Sequence, residues 1–138
     1  MMVIVCLDDK NGMAFNKRRQ STDEEVIKDI LKNAGQKIWI SSYSVKLFGP
    51  FDTSRLIIEE DFLDCSKSGD CCFVENRHLG GLEDKIEDII IYHWNRVYPA
   101  DLYFDIDLKT DKWELISTKE FRGKSHDKIT KETYRHKA

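Results

Sequence analysis

The residues able to do chemistry are few and scattered. Asp23-Glu24-Glu25 is a run of three acids. A carboxylate in a cleft can act as a general acid or base, yet acids also belong in the first turn of any helix. Lys17-Arg18-Arg19 is the tightest basic cluster. It reads either as a solvated loop or as a contact site for an acidic partner or a phosphate. The four histidines are His78, His93, His126 and His136. They have no metal spacing with the cysteines, and no metal ligand is assigned. His93 beside Trp94 could be a general base, although a satisfied structural histidine is the commoner case. His126 and His136 read as surface residues. The four cysteines are Cys6, Cys65, Cys71 and Cys72. Cys6 sits in an apolar run and reads as a small core residue. Cys71 and Cys72 are adjacent, so on a strand they face opposite sides and cannot both ligate one metal. A disulfide from Cys65 to either stays open, within an expected reduced, cytoplasmic protein. No Gly-x-Ser-x-Gly, phosphate-cradling loop or zinc pattern occurs. The acids at Glu59-Glu60-Asp61 and at Asp105 with Asp107 read as solvated surface.

The elements that must position these groups alternate. Met2 to Leu7 is an apolar run that predicts a buried strand. It breaks at Asp8-Asp9-Lys10-Asn11-Gly12, a turn in which Asn and Gly tolerate positive φ. A loop from Met13 to Gln20 follows. A helix then starts at Ser21-Thr22-Asp23-Glu24-Glu25, where Ser21 with Glu24 or Thr22 with Glu25 has capping-box spacing. Val26, Ile27, Ile30, Leu31 and Ala34 form its apolar face, and Gly35 stands where a helix commonly ends. Lys37 to Ile40 predicts a strand, Ser41 to Phe48 a short capped helix closed by Gly49-Pro50. Further strands are expected at Arg55 to Ile58, Cys71 to Val74 and Lys85 to Tyr92. Trp39, Ile40, Ile89 and Ile91 are expected on central, buried strands. Leu102, Phe104, Ile106 and Leu108 alternate with polar residues, which predicts a half-buried strand. Trp113 to Phe121 and Ile129 to His136 predict two strands around a polar loop, Arg122 to Asp127. The fold class is therefore α/β. One domain, 1–138, holds a mixed, mostly parallel sheet with flanking helices and an antiparallel C-terminal hairpin.

The composition is that of a globular domain, with 34% charged and 41% hydrophobic residues. A net charge of −3 gives no reason to expect nucleic acid as a partner. No apolar run approaches the ~20 residues of a membrane span. No basic-then-apolar leader is seen, which again predicts the cytoplasm.

In order and spacing the chain resembles dihydrofolate reductase. Asn11-Gly12-Met13 resembles the Asn-Gly-Ile that opens the family's active-site loop. Lys37 to Gly49 resembles the strand and helix carrying its Gly-Arg-x-Thr cofactor motif. Asp111-Lys112-Trp113-Glu114 and Thr130 to Lys137 resemble its last two strands. The resemblance implies that fold, a loop closing over the nicotinamide of NADPH, and a substrate-directed acid on the first helix. Counting without gaps puts Glu24 at that acid. Several departures count against the cofactor. Arg18-Arg19 stand where the family has Pro-Trp, and Ser41-Ser42-Tyr43-Ser44 replaces Gly-Arg-x-Thr, losing a phosphate-binding arginine fork. Tyr92-His93-Trp94-Asn95 stands where a Gly-Gly pair is expected, so a bulky side chain would occupy the phosphate site. At most about two helical turns fit before Leu102, so the family's covering helix is truncated or absent. Gly80-Gly81 reads as a plain turn.

Three functions fit these features. The first is a non-catalytic dihydrofolate reductase-like scaffold serving as a protein-binding module: an inhibitor, an immunity protein or an accessory factor. Lys17, Arg18 and Arg19 would meet an acidic or phosphate-bearing surface, with no cofactor. The second is a divergent NADPH-dependent reductase using Glu24. The third is a small-ligand or nucleotide binder without chemistry.

Overall fold

The structure is a computed structural model that describes residues 1–35 and 37–137. The apolar run at the start becomes β1 (Met2–Leu7). It pairs in parallel with β6 (Cys71–Phe73) on one side and β7 (Asp88–His93) on the other. β4 (Ile38–Ile40) and β5 (Leu56–Ile58) extend the sheet in parallel beyond β6. β10 (Ile129–His136) and β9 (Trp113–Phe121) add an antiparallel end next to β7. The order is β5-β4-β6-β1-β7-β10-β9.

Both faces of the parallel strands are covered, as such sheets require. Val3, Val5 and Leu7 of β1 pack with Cys72, Ile89 and Ile91 on one face. Ile4, Cys71, Phe73 and Ile90 pack on the other against Val26, Ile27 and Ile30. Those three lie on α1 (Glu24–Asn33). Cys71 and Cys72 thus enter opposite cores, and all four cysteines are free. Ile40, Ile89 and Ile91 are buried as expected, but Trp39 is only half-buried. β4 lies one strand from the sheet edge, and the Trp39 indole reaches out to donate to Asp70 at 3.1 Å.

Several local expectations change. The stretch from Met13 to Gln20 is a hairpin, with β2 (Gly12–Phe15) paired to β3 (Arg18–Arg19). Asn16 and Lys17 form its two-residue turn, both at positive φ (50° and 61°), the backbone that matches strand twist in tight hairpins. The strand expected from Leu102 to Leu108 shrinks to β8 (Leu102–Tyr103), paired with β2. The period-two burial persists beyond it, because Phe104 and Ile106 still insert into the core. No helix forms between Trp94 and Leu102. Gly80-Gly81 opens a 3-10 helix, Gly80–Lys85, rather than a plain turn.

α1 does not end on a left-handed glycine. Ala34 is its C-cap, in extended conformation. The orphan carbonyls are taken by the Arg55 guanidinium, which donates to Leu31, Ala34 (3.2 Å) and Gly35 (3.1 Å). A cation there also complements the helix dipole. Arg55→Ala is therefore expected to lower stability by about 1–2 kcal/mol, measured by urea unfolding.

Candidate functional site

The carboxyl ends of β1 and β6, roofed by the β2–β3 hairpin and the start of α1, enclose a narrow cleft. Open α/β sheets place ligands at such strand ends. Its walls are largely apolar, from Cys6, Met13, Ile27, Phe73, Val74 and Trp94. Burial pushes the Cys6 thiol far above its ordinary value, so it is no nucleophile at neutral pH.

Arg19 and Glu75 close the cleft from within. Arg19 Nε donates to Glu75 Oε1 at 2.7 Å and Nη2 to Oε2 at 2.9 Å. This is a bidentate pair, with the Glu75 side chain only 8% exposed. Ser44 Oγ donates to the same carboxylate at 2.7 Å. Arg19 also stacks over the Tyr43 ring at 4.7 Å, and its backbone N–H donates to the Tyr43 hydroxyl at 2.8 Å. Tyr43 and Ser44 belong to the 3-10 turn Ser42–Ser44, which runs into α2 (Val45–Phe48). The free space left in the cleft is about 20 Å³, room for a single water. The basic cluster is thus split. Lys17 and Arg18 are exposed at the hairpin tip, whereas Arg19 turns inward.

Asp8, at the end of β1, holds the roof in place. Oδ1 accepts from the Lys10 and Gly12 N–H groups, Oδ2 from Gln20 Nε2 and Tyr98 N. Burial would raise its pKa, but these four bonds prevail and hold it below the usual range. A Cβ on Gly12 would meet Gln20 Nε2 at 2.6 Å and Ala100 Cβ at 2.7 Å, so this crossing of three segments needs glycine.

The deepest polar group is Asp23, 2% exposed. It is the true N-cap of α1, accepting from Glu25 N at 2.9 Å. Neither expected capping box forms, because the loop after β9 competes for this site. Lys124 N and Ser125 N donate to Asp23, each at 2.9 Å, and His126 Nδ1 lies 2.9 Å from Oδ2. Burial alone would push the Asp23 carboxyl up. Bonds from Lys124, His126, Ser125 and Glu25 outweigh it and hold the pKa far below the carboxylate range. Gly123 is required here, since a Cβ would sit on Asp23 Oδ2.

His126 is the main correction to the reading of the sequence. It is 4% exposed, not a surface residue. Its ring stacks on Trp94 with centroids 4.7 Å apart, and Nε2 lies 3.1 Å from both Ser21 Oγ and Tyr98 Oη. Only its place in a Gly-x-Ser-His turn among polar residues hinted at this. His136 is also half-buried, stacked on Trp113 at 4.6 Å.

Other expected site residues lie elsewhere. Glu24 is half-exposed outside this cleft, bonded to Lys124 at 2.6 Å and near Lys28 at 3.4 Å. Tyr92 does not protrude toward a ligand; its hydroxyl donates to Asp29 at 2.6 Å. His93 bonds Glu132, also outside the cleft. Among the described residues, no three His, Cys, Asp or Glu are placed to hold a metal. No described helix is long and apolar enough to cross a membrane.

The whole architecture superposes on a dihydrofolate reductase from Enterococcus faecalis, solved with NADP(H) and RAB-propyl. The TM-score is 0.69, covering 99% of this chain and 96% of that one. The chain has the dihydrofolate reductase fold. Identity to that enzyme is 9%, so the likeness speaks for the fold and not for its activity. No family model and no curated protein matches the sequence. Against the dihydrofolate reductase frame, Tyr43 and Ser44, in the segment resembling the cofactor motif, are both engaged with Arg19.

Proposed function

We propose that the chain is a dihydrofolate reductase scaffold that does not use NADPH and works as a protein-binding module. The observation that carries this reading is the Arg19–Glu75–Ser44 cluster seated inside the cleft. A nicotinamide or pterin ring needs far more than the ~20 Å³ left there. Opening the cleft would strand the Glu75 carboxylate without its bidentate partner. The reductase alternative is also weakened at its acid. Glu24 stands outside the cleft, and Asp23, the acid that does line it, is held ionised by five donors and is a poor proton source.

Titration with NADPH is expected to give no saturable thermal shift. A ligand at ~100 times its dissociation constant would stabilise by about 2.7 kcal/mol. A shift of that order would restore the reductase.

The working surface is the hairpin tip. Lys17 and Arg18 stand exposed there next to Phe15, which is 43% exposed. A basic and aromatic knob on a net acidic chain suits an acidic protein surface. The Lys17→Glu, Arg18→Glu double variant is expected to stay within about 0.5 kcal/mol of wild-type stability. Its affinity for a partner recovered stoichiometrically by pull-down should drop at least tenfold, most at low salt. Undiminished binding at low salt would remove the tip from the interface. Arg19 does not belong in that test, because Arg19→Glu would set two carboxylates against each other inside the cleft.

A further inference from the structure

The groups around His126 have an arrangement that protein binding does not require. His126 Nδ1 is 2.9 Å from Asp23 Oδ2, and Nε2 is 3.1 Å from Ser21 Oγ. Asp23 and His126 are buried, while Ser21 is half-exposed on the cleft wall. This is the order of roles in acyl-transfer triads on unrelated folds: nucleophile, base, orienting carboxylate. The donors on Asp23 fix the carboxylate, and the stacked Trp94 fixes the ring plane. We propose that Ser21 is a nucleophile activated by His126, with Asp23 as the positioning residue, in a site for a small ester or amide.

The local chemistry supports each role. Asp23 is ionised, so Nδ1 carries the proton and Nε2 is left with one lone pair. Two hydroxyls, Ser21 and Tyr98, converge on that lone pair at 3.1 Å, and it can accept well from only one of them. When Ser21 donates, the Tyr98 proton is free to stabilise a developing oxyanion. Gln20, next in sequence and also on the cleft wall, has a buried Oε1 with no hydrogen-bond partner. An orphan acceptor beside the nucleophile asks for a donor, which an amide N–H of the substrate supplies.

In the reaction, Ser21 Oγ bonds to the acyl carbon as its proton passes to His126 Nε2, and the carbonyl π pair moves to oxygen. Collapse restores the carbonyl and breaks the bond to the alcohol or amine, which leaves with the proton from His126. Water, deprotonated by His126, then releases the acid and returns the serine. No redox partner is needed. The proposal is independent of the hairpin tip and of NADPH, and either can fail without the other.

An alkyl fluorophosphonate tests it, because serine attack expels fluoride and leaves a stable adduct. The native protein should take up one label per chain, mapped to Ser21 by mass spectrometry, and the urea-unfolded chain none. Ser21→Ala, which removes one hydroxyl from a half-exposed site, should keep its melting temperature and lose the label. Tyr98→Phe should slow labelling about 100-fold, as for loss of one oxyanion donor. Asp23→Asn should slow it by up to ~10⁴-fold, as when the orienting aspartate of a serine protease is replaced. That loss should be partly recovered at high pH, where hydroxide takes the serine proton; a purely structural defect would not recover. A folded wild-type protein left unlabelled by excess probe would overturn the assignment. So would equal labelling of native and unfolded chains, or a label retained in Ser21→Ala.

Discussion

Replacing Asp23 by alanine is expected to cost about 3–5 kcal/mol, the range for breaking a buried charged pair. The side chain is 2% exposed and answers the N–H groups of Glu25, Lys124 and Ser125 together with His126. Its removal leaves a helix uncapped and several donors unpaired, each costing on the order of 1–3 kcal/mol if it stays dry. Urea unfolding followed by tryptophan fluorescence measures this, and a loss under 1 kcal/mol would show that water replaces the carboxylate freely. The same group makes stability depend on pH. Asp23 and Asp8 both ionise below their ordinary range in the folded chain. Their stabilisation is complete above the unfolded value of about 3.9 and is lost as pH falls below it. The urea midpoint should therefore be flat near neutrality and drop from about pH 5 downward. Asp23→Asn should flatten that drop at the acid end.

Ile91→Ala should cost about 2–5 kcal/mol. Ile91 lies on β7, flanked by Val5 of β1 and Glu132 of β10, and is buried in the core of one sheet face. The strand is held on both sides, so the backbone cannot collapse into the gap left by the lost side chain. A matched Leu115→Ala on β9 is the contrast. That side chain is 46% exposed on an edge strand and should change stability by no more than about 0.5 kcal/mol. Equal losses at the two positions would contradict the strand order.

The fold was legible because its signals are local and repeated. Continuous apolar runs named the parallel strands, and period-two patterns named the last two. The stop of α1 was misread because Gly35 stands where a glycine cap belongs, while Arg55, distant in sequence, does that work. The loop from Met13 to Gln20 hid a hairpin because its turn uses Asn16-Lys17 rather than Asn-Gly. The candidate site was legible only in part. Asp23 drew notice as one of three acids, but local spacing cannot say which of them is buried. His126 was read as surface from polar neighbours that fold inward onto Asp23. Arg19 looked like its neighbour Arg18 because nothing local reveals Glu75. Partners more than 50 residues apart leave no period in the sequence.

The contact between Asp23 and the Lys124–His126 turn also orders events in time. It joins the first helix to the connection between the last two strands, about a hundred residues later. While the chain is still being made, Asp23 can cap α1 only through Glu25. The remaining donors arrive once the β9–β10 hairpin has docked on β7. An isolated helix of 10 residues is marginal in water, so α1 should stay frayed until the end of the chain is in place. Helix and hairpin should then lose hydrogen-exchange protection in one cooperative step. The whole α1 face of the sheet would stay open to proteases until synthesis is complete.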